Sequence, residues 1–215
     1  SLLKKAAALD IKTIAPLHGP VLKENLGYYI DLYNTWSSYG VESEGVLVAF
    51  ASIHGNTRKA AEKIASILEK QGAKKITVLM QDARDLDNYF SFDKVLLDAP
   101  CSGSGTIEIE NEKLEKTFTE ELVSRSVKTQ FEMLKKAITV LKPGHEMVYS
   151  TCSILKEENE ENILKILKSG KVQLVPINKD IFRDIPLLPT CLEGTITVCP
   201  DELYEGFFIA KLKKN

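Results

Sequence analysis

No apolar run in the sequence approaches the roughly 18 residues that a membrane-spanning helix needs. The first residues show no charged segment followed by a hydrophobic core. These two gaps set the expectation of a soluble, cytoplasmic protein. An excess of one charge is also lacking, since 28 Lys and Arg against 30 Asp and Glu leave a net charge of −2. Without a basic excess there is no general pull toward nucleic-acid phosphate, so RNA binding needs a local basic patch or another domain. Cysteine is scarce. The four cysteines, at 101, 152, 191 and 199, show neither the Cys-x-x-Cys spacing of a zinc site nor the density of a secreted disulfide scaffold. Reduced thiols are therefore expected. With histidines only at 18, 54 and 145, no metal cluster is expected either.

What is present is an alternation of strand-like and helix-like stretches over 215 residues, enough for one well-buried domain. The expected organisation is a single α/β domain over 1–215, with an N-terminal extension at 1–44, a βα unit at 45–75 and the remainder at 76–215. In the extension, residues 25–39 read as a helix in which Leu26, Tyr29, Ile30, Tyr33 and Trp36 form an apolar, aromatic face. That face is expected to pack against the sheet. Residues 45–50 read as a buried strand, and Ala60, Ala61, Ile64, Ile67 and Leu68 mark one face of the helix that follows, which Gly72 stops. Between them lies a polar turn at a helix N-terminus, an anion site by construction, in which Ser52, Gly55, Asn56 and Thr57 are the phosphate-binding candidates.

Further strands are expected at 74–80, 95–97, 147–149, 172–177, 195–198 and 206–212, with a long helix at 119–141 closed by Lys142-Pro143-Gly144. The run Val95 to Leu97 has the character of a strand buried on both faces. A second helix is expected over 157–169, where Glu157-Glu158-Asn159-Glu160-Glu161 reads as a solvated helix start favoured by the dipole. The alternation implies a three-layer α/β sandwich with a mainly parallel sheet. The expected strand order is 2-1-3-4-6-5, with the last strand antiparallel.

Two stretches carry chemistry. The first apolar run ends in Asp98-Ala99-Pro100-Cys101-Ser102-Gly103, and the later strand ends in Ser150-Thr151-Cys152-Ser153. Ligands of an open parallel sheet gather beyond the carboxyl ends of its strands, so both cysteines and Asp98 are expected to meet in one crevice. These motifs, in this order, resemble those of the RNA cytosine-C5 methyltransferases that use S-adenosylmethionine (SAM), over residues 75–215. The resemblance implies that Cys152 adds to C6 of a flipped cytosine, that Cys101 assists release and that Asp98 holds the base edge. It also implies that Asp82, in the turn Gln81-Asp82-Ala83-Arg84, meets the adenine of SAM, with a solvated turn aspartate as the alternative. Two family features are missing, namely a Pro-Gly-Gly-Lys turn after the first strand and an acid ending the second.

Residues 1–75 point elsewhere. Ser52-Ile53-His54-Gly55-Asn56-Thr57 resembles the FMN phosphate loop of flavodoxin-like domains, especially those of flavodiiron proteins. Ile14 to Pro20 and Tyr33 to Ser37 resemble the segment joining the diiron and flavodoxin domains, with His18 as a lone relic of an iron ligand set. Together the resemblances imply a chimera, a flavodoxin-like/Rossmann hybrid of engineered origin with its junction between Gln71 and Ala83. The first functional reading is then a folded scaffold without turnover that binds no cofactor tightly. One alternative is a SAM-dependent RNA (cytosine-C5)-methyltransferase with an unusual donor site, with RNA as an inherited partner. The other is a phosphate binder that holds FMN at about millimolar strength, the yield of a few charge-assisted hydrogen bonds.

Overall fold

A computed structural model of the chain describes residues 9–16, 20–38, 40, 44–50, 56–107 and 118–215. The chain divides into two compact units, Ser1–Met80 and Gln81–Asn215. His18, Ser52 and Gly55 lie outside the described residues.

The first unit contains helix α1 (Leu26–Ser37), strand β1 (Val46–Phe50), helix α2 (Asn56–Lys70) and strand β2 (Ile76–Met80). The two strands pair in parallel, from Val46 opposite Ile76 to Phe50 opposite Met80. Gly72, at φ 89, ends the α2 segment as expected of a glycine in the left-handed region. Of the expected α2 face only Ala61 is buried, while Ile64 and Ile67 stay about half exposed. The reason is width: two strands about 5 Å apart cannot cover the apolar stripe of a helix about 10 Å across. The aromatic face of α1 is likewise not buried, contrary to expectation. Its rings pack along their own helix instead, Tyr33 on Trp36 at 5.8 Å and Tyr28 on Tyr29 at 5.3 Å.

The second unit contains β3 (Phe92–Asp98), α3 (Glu120–Val140), β4 (Leu141–Thr151), α4 (Glu160–Leu167), β5 (Val172–Val175), β6 (Ile196–Val198) and β7 (Phe207–Lys214). Its sheet runs β3-β4-β7-β5, with β6 on the same edge of β7 as β5. The strands β3 and β4 are parallel, and β7 is antiparallel to β4, β5 and β6. Four strands thus run one way, yet most neighbouring pairs are antiparallel because β7 is inserted among them. The expectation of one continuous sheet is corrected, since the strands form a pair and a separate five-stranded sheet. Apolar runs identify strands, but which edges pair is decided by hydrogen bonding that periodicity does not encode.

Within this unit the helices α3 and α4 touch each other and cover one face of the sheet. Leu97, Met147, Tyr149, Phe208, Ala210 and Leu212 point into the core beneath Leu134, Ile138, Ile163 and Ile166. The opposite face carries Lys94, Leu96, Glu146, Val148 and Lys211, with Leu96 74% exposed. β3 is therefore buried on one face, and its side chains alternate as those of a half-covered strand do. Thr119 caps α3 by accepting from Leu122 N–H at 3.1 Å, and Glu120 and Glu121 complement the helix dipole.

Lys142-Pro143-Gly144 does not form a loop after α3 but lies inside β4, where the register against β3 shifts between Phe92 and Lys94. A bulge is where a strand accommodates proline, and Gly144 supplies the positive φ of 76°. Lys142, almost wholly buried, is anchored there by Asp93 Oδ1 at 2.9 Å.

The loop after β3 is tied down by glycine. Gly105 N–H donates to the Cys152 carbonyl at 3.0 Å, and Gly206 N–H donates to the Gly105 carbonyl at 2.7 Å. A Cβ on Gly105 would fall 2.0 Å from the Gly206 carbonyl oxygen, backbone that cannot yield without moving β7. Gly105→Ala is expected to lower stability by about 1–3 kcal/mol or more, the range for forcing atoms into a packed interior. A denaturant titration against the parent checks it.

Candidate active site

The parallel pairing of β3 and β4 places Asp98 opposite Ser150, so the two chains leave the sheet side by side. Ala99 N–H continues the ladder to the Ser150 carbonyl at 2.9 Å. Cys101 and Cys152 then meet, with their Sγ atoms 2.9 Å apart and both side chains partly buried. Asp98 accepts from Ser150 Oγ at 2.9 Å. The three residues expected in one crevice are brought together at one end of the sheet.

Each thiol alters the other. Cys152 is lowered to about 7, chiefly because it accepts a hydrogen bond from Cys101, an effect that burial opposes. Cys101 is raised, by that same bond first and by burial second. The physical picture is a Cys152 thiolate beside a Cys101 thiol that keeps its proton and donates it. A thiolate near neutral pH is the nucleophilic form of cysteine. Cys191 and Cys199, both free, carry no such pairing.

Behind the thiols stands a buried polar network that the sequence did not announce. Glu158, fully buried, accepts from Ser102 N–H at 2.8 Å, Ser102 Oγ at 2.6 Å, Ser153 Oγ and Gln130 Nε2 at 3.1 Å. Asn159 accepts from Thr151 Oγ1 at 2.6 Å and donates to the Ser153 carbonyl at 2.8 Å. Asn162 donates to Gln130 Oε1 at 3.1 Å. The expectation of a solvated helix start is corrected. Glu157 and Glu161 are exposed, but Glu158, Asn159 and Glu160 are buried, because the chain between Cys152 and α4 folds under the cysteine loops. Burying a carboxylate costs several kcal/mol. Four donors, each contributing about 1.5–3 kcal/mol to a charged acceptor, offset that cost. The only available signal was indirect: Asn162 lies inside the helix rather than at its cap, a poor position for asparagine unless its side chain bonds a neighbouring element.

The other candidates behave differently. Thr57 is exposed in the first turn of α2. Asn56 opens that helix, and the rest of the phosphate turn lies outside the described residues. Asp82 caps the short turn Ala83–Asp85. Both its oxygens are engaged by the Arg84 guanidinium and one by Arg84 N–H, and this holds its carboxyl below the usual range. No group of three or more His, Cys, Asp or Glu side chains placed to hold a metal ion occurs among the described residues. No helix of the described residues is long and apolar enough to cross a membrane.

Comparison with known proteins bears on this geometry. Residues 41–213 match the profile of the 16S rRNA methyltransferase RsmB/F family. The chain belongs to this family. Among its relatives, the ribosomal RNA small subunit methyltransferase F of Vibrio campbellii is 34% identical over 183 residues, covering 81% of this chain and 36% of the relative. The protein of the same name from Salmonella arizonae is 40% identical over 127 residues, covering 57% and 26%. The crystal structure of NSun6 from Pyrococcus horikoshii with SFG aligns at a TM-score of 0.60 and 29% identity, over 79% of this chain and 41% of that one. The chain thus spans between about a quarter and little more than a third of the curated relatives it matches. The second unit's mixed α/β architecture is that of a Rossmann-like methyltransferase.

The family match also bears on ancestry. It runs without a break across residues 71–83, where a junction was expected. A single RsmB/F ancestry on both sides of that point is supported, and a flavodiiron or flavodoxin component, a chimera and FMN binding are not. The phosphate-loop likeness rests on six residues, four of them small or polar in a way that strand-to-helix turns of many α/β proteins share.

For the methyl donor that an RsmB/F protein implies, SAM, the fit is one-sided. The thiol side is assembled, whereas on the donor side Asp82 already has both oxygens engaged by Arg84 and the Pro-Gly-Gly-Lys turn is absent from the sequence. As they stand, the described residues do not fit SAM.

If Cys101 is what lowers Cys152, the pH dependence of alkylation shows it. The rate of iodoacetamide reaction at Cys152, followed by peptide mass spectrometry, is expected to rise through a midpoint of about 7. In Cys101→Ala, which removes the donor, the midpoint moves up toward the ordinary thiol value of about 8.5.

Proposed function

We propose that the second unit is the base-activating part of an RNA (cytosine-C5)-methyltransferase. The supporting observation is the Cys101–Cys152 pair, 2.9 Å apart beside Asp98, in a chain of the RsmB/F family. This reading replaces the scaffold without turnover, which rested on a mixed ancestry that the family match does not support. Ribosomal RNA of the small subunit is the substrate class that the relatives' names suggest.

The chemistry follows from the geometry. Cys152, as thiolate, attacks C6 of a cytosine turned out of its stack. The new S–C6 bond pushes the C5–C6 double-bond electrons toward N3 and O2, so that C5 becomes an enamine-like carbon that takes up an electrophile. In this reading Asp98 accepts from the exocyclic amino group of the base, a contact that favours cytosine over uracil. Transfer of the C5 proton to a solvent water then lets the C5–H electrons re-form the C5–C6 double bond as the C6–S bond breaks and the Cys152 thiolate leaves. Cys101 keeps its proton and donates it to that sulfur, which stabilises the departing thiolate.

Addition to C6 requires no methyl donor, and this permits a direct test. In deuterium oxide with small-subunit ribosomal RNA, the protein is expected to exchange the C5 hydrogen of a target cytosine for deuterium. Cys152→Ala should fall to the rate in buffer alone, and Asp98→Asn should retain partial exchange. Exchange that survives in Cys152→Ala, or no exchange by the parent chain, overturns the reading.

A further inference from the structure

The proposed chemistry needs two sulfurs on two different loops to keep one spacing, but the strand pairing that aligns those loops stops at Asp98 and Ser150. Beyond the paired strands two backbone bonds join the loops, Ala99 N–H to the Ser150 carbonyl and Gly105 N–H to the Cys152 carbonyl, and neither engages Cys101 itself. Two side chains span the interval: Ser104, whose hydroxyl lies 2.8 Å from Ser153 Oγ and accepts from Ile154 N–H at 3.0 Å, and Glu158, which alone bonds the residue after each cysteine. Ser102 follows Cys101, and its N–H and hydroxyl donate to Glu158 Oε1 and Oε2 at 2.8 and 2.6 Å. Ser153 follows Cys152, and its hydroxyl donates to the same Oε2. The grip extends to the other side of Cys101, where Gln130 Nε2 donates both to Glu158 Oε1 and to the Pro100 carbonyl at 3.0 Å. Glu158 is itself fixed, because its carbonyl accepts from Tyr149 Oη at 2.9 Å in the middle of the core.

We propose that Glu158 is a positioning residue whose carboxylate sets the spacing of Cys101 and Cys152 by holding the residue that follows each. A short, buried, charge-assisted bridge is a stiff one: its donors are of fixed chemistry, no water competes for them, and a displacement of either loop breaks a bond to a charge. The alternative is that Glu158 only completes a buried polar core. Glu160 separates the two ideas. It is also buried but is bonded by Thr190 Oγ1 at 3.1 Å rather than by either cysteine loop.

The inference rests on the reading of the pair as the reactive thiols, yet spacing is measurable without RNA or methyl donor. The full chain, with Cys191→Ser and Cys199→Ser so that only the pair titrates, is equilibrated with reduced and oxidised glutathione. The pair reduces one oxidised glutathione to two thiols as it forms its own disulfide, and the constant reports the effective concentration of one sulfur toward the other. Glu158→Gln replaces one acceptor oxygen by a donor and is expected to lower that constant by about tenfold or more, as expected when reacting groups lose their placement. Glu160→Gln is expected to lower thermal stability while leaving the constant within about twofold.

A folded Glu158→Gln protein with the parent's constant overturns the proposal. So does Glu160→Gln with an equal loss, or a parent pair that forms no disulfide. Should Glu158→Gln not fold, Ser102→Ala and Ser153→Ala decide by the same measure, since each removes one strap and leaves the carboxylate. If the constant falls as expected while the parent chain shows no C5 exchange, positioning stands and the RNA reading fails. C5 exchange with an unmoved constant overturns positioning alone.

Discussion

A thiol that donates to its neighbour across 2.9 Å does so only while two loops, 51 residues apart in sequence, hold a common frame. That frame has two parts of different physical kind. The parallel ladder between β3 and β4 fixes where the loops begin, and the buried carboxylate of Glu158 bonds the residue that follows each sulfur. A ladder is repetitive and tolerant, because each rung resembles the next. A single carboxylate receiving four donors is not, and its low-dielectric surroundings make a mismatch costly.

The electrostatics of the pair follow from the same arrangement. Burial alone would raise both thiols, because it disfavours the charged form of each. The shared hydrogen bond breaks the symmetry: Cys152 gains a donor and is lowered, while Cys101 becomes that donor and is raised. Two chemically identical groups thus titrate apart, Cys152 toward the thiolate and Cys101 toward the thiol. Tyr149, whose phenol is raised by burial and by the charge of Glu158, stays protonated and anchors the Glu158 backbone from inside the core.

The first unit shows how far a local motif carries. Its strands and helix form where alternation and apolar spacing put them, yet their likeness to a flavin phosphate loop did not survive a family match that runs through residues 41–213. A strand, a small polar turn and a helix N-terminus recur in many α/β proteins for the same electrostatic reason, so that likeness reports physics before it reports descent. The cysteine motifs behave differently because they are long, two in number and ordered. Their partners were less visible. Glu158 stood inside a run of acids, and a charge run carries no mark of which member turns inward.

Sequence alone determined which segments become strands and helices, and that Asp98, Cys101 and Cys152 stand at strand ends. Local propensity, side-chain period and capping chemistry are properties of neighbouring residues, and neighbouring residues are what a sequence records. Tertiary structure alone decided that the strands divide into two sheets, that Lys142-Pro143-Gly144 lies within β4, and that Glu158, Gln130 and Asn162 are buried. Each of those outcomes depends on contacts between distant segments, where the cost of burying a polar group is settled by donors that arrive from elsewhere in the chain.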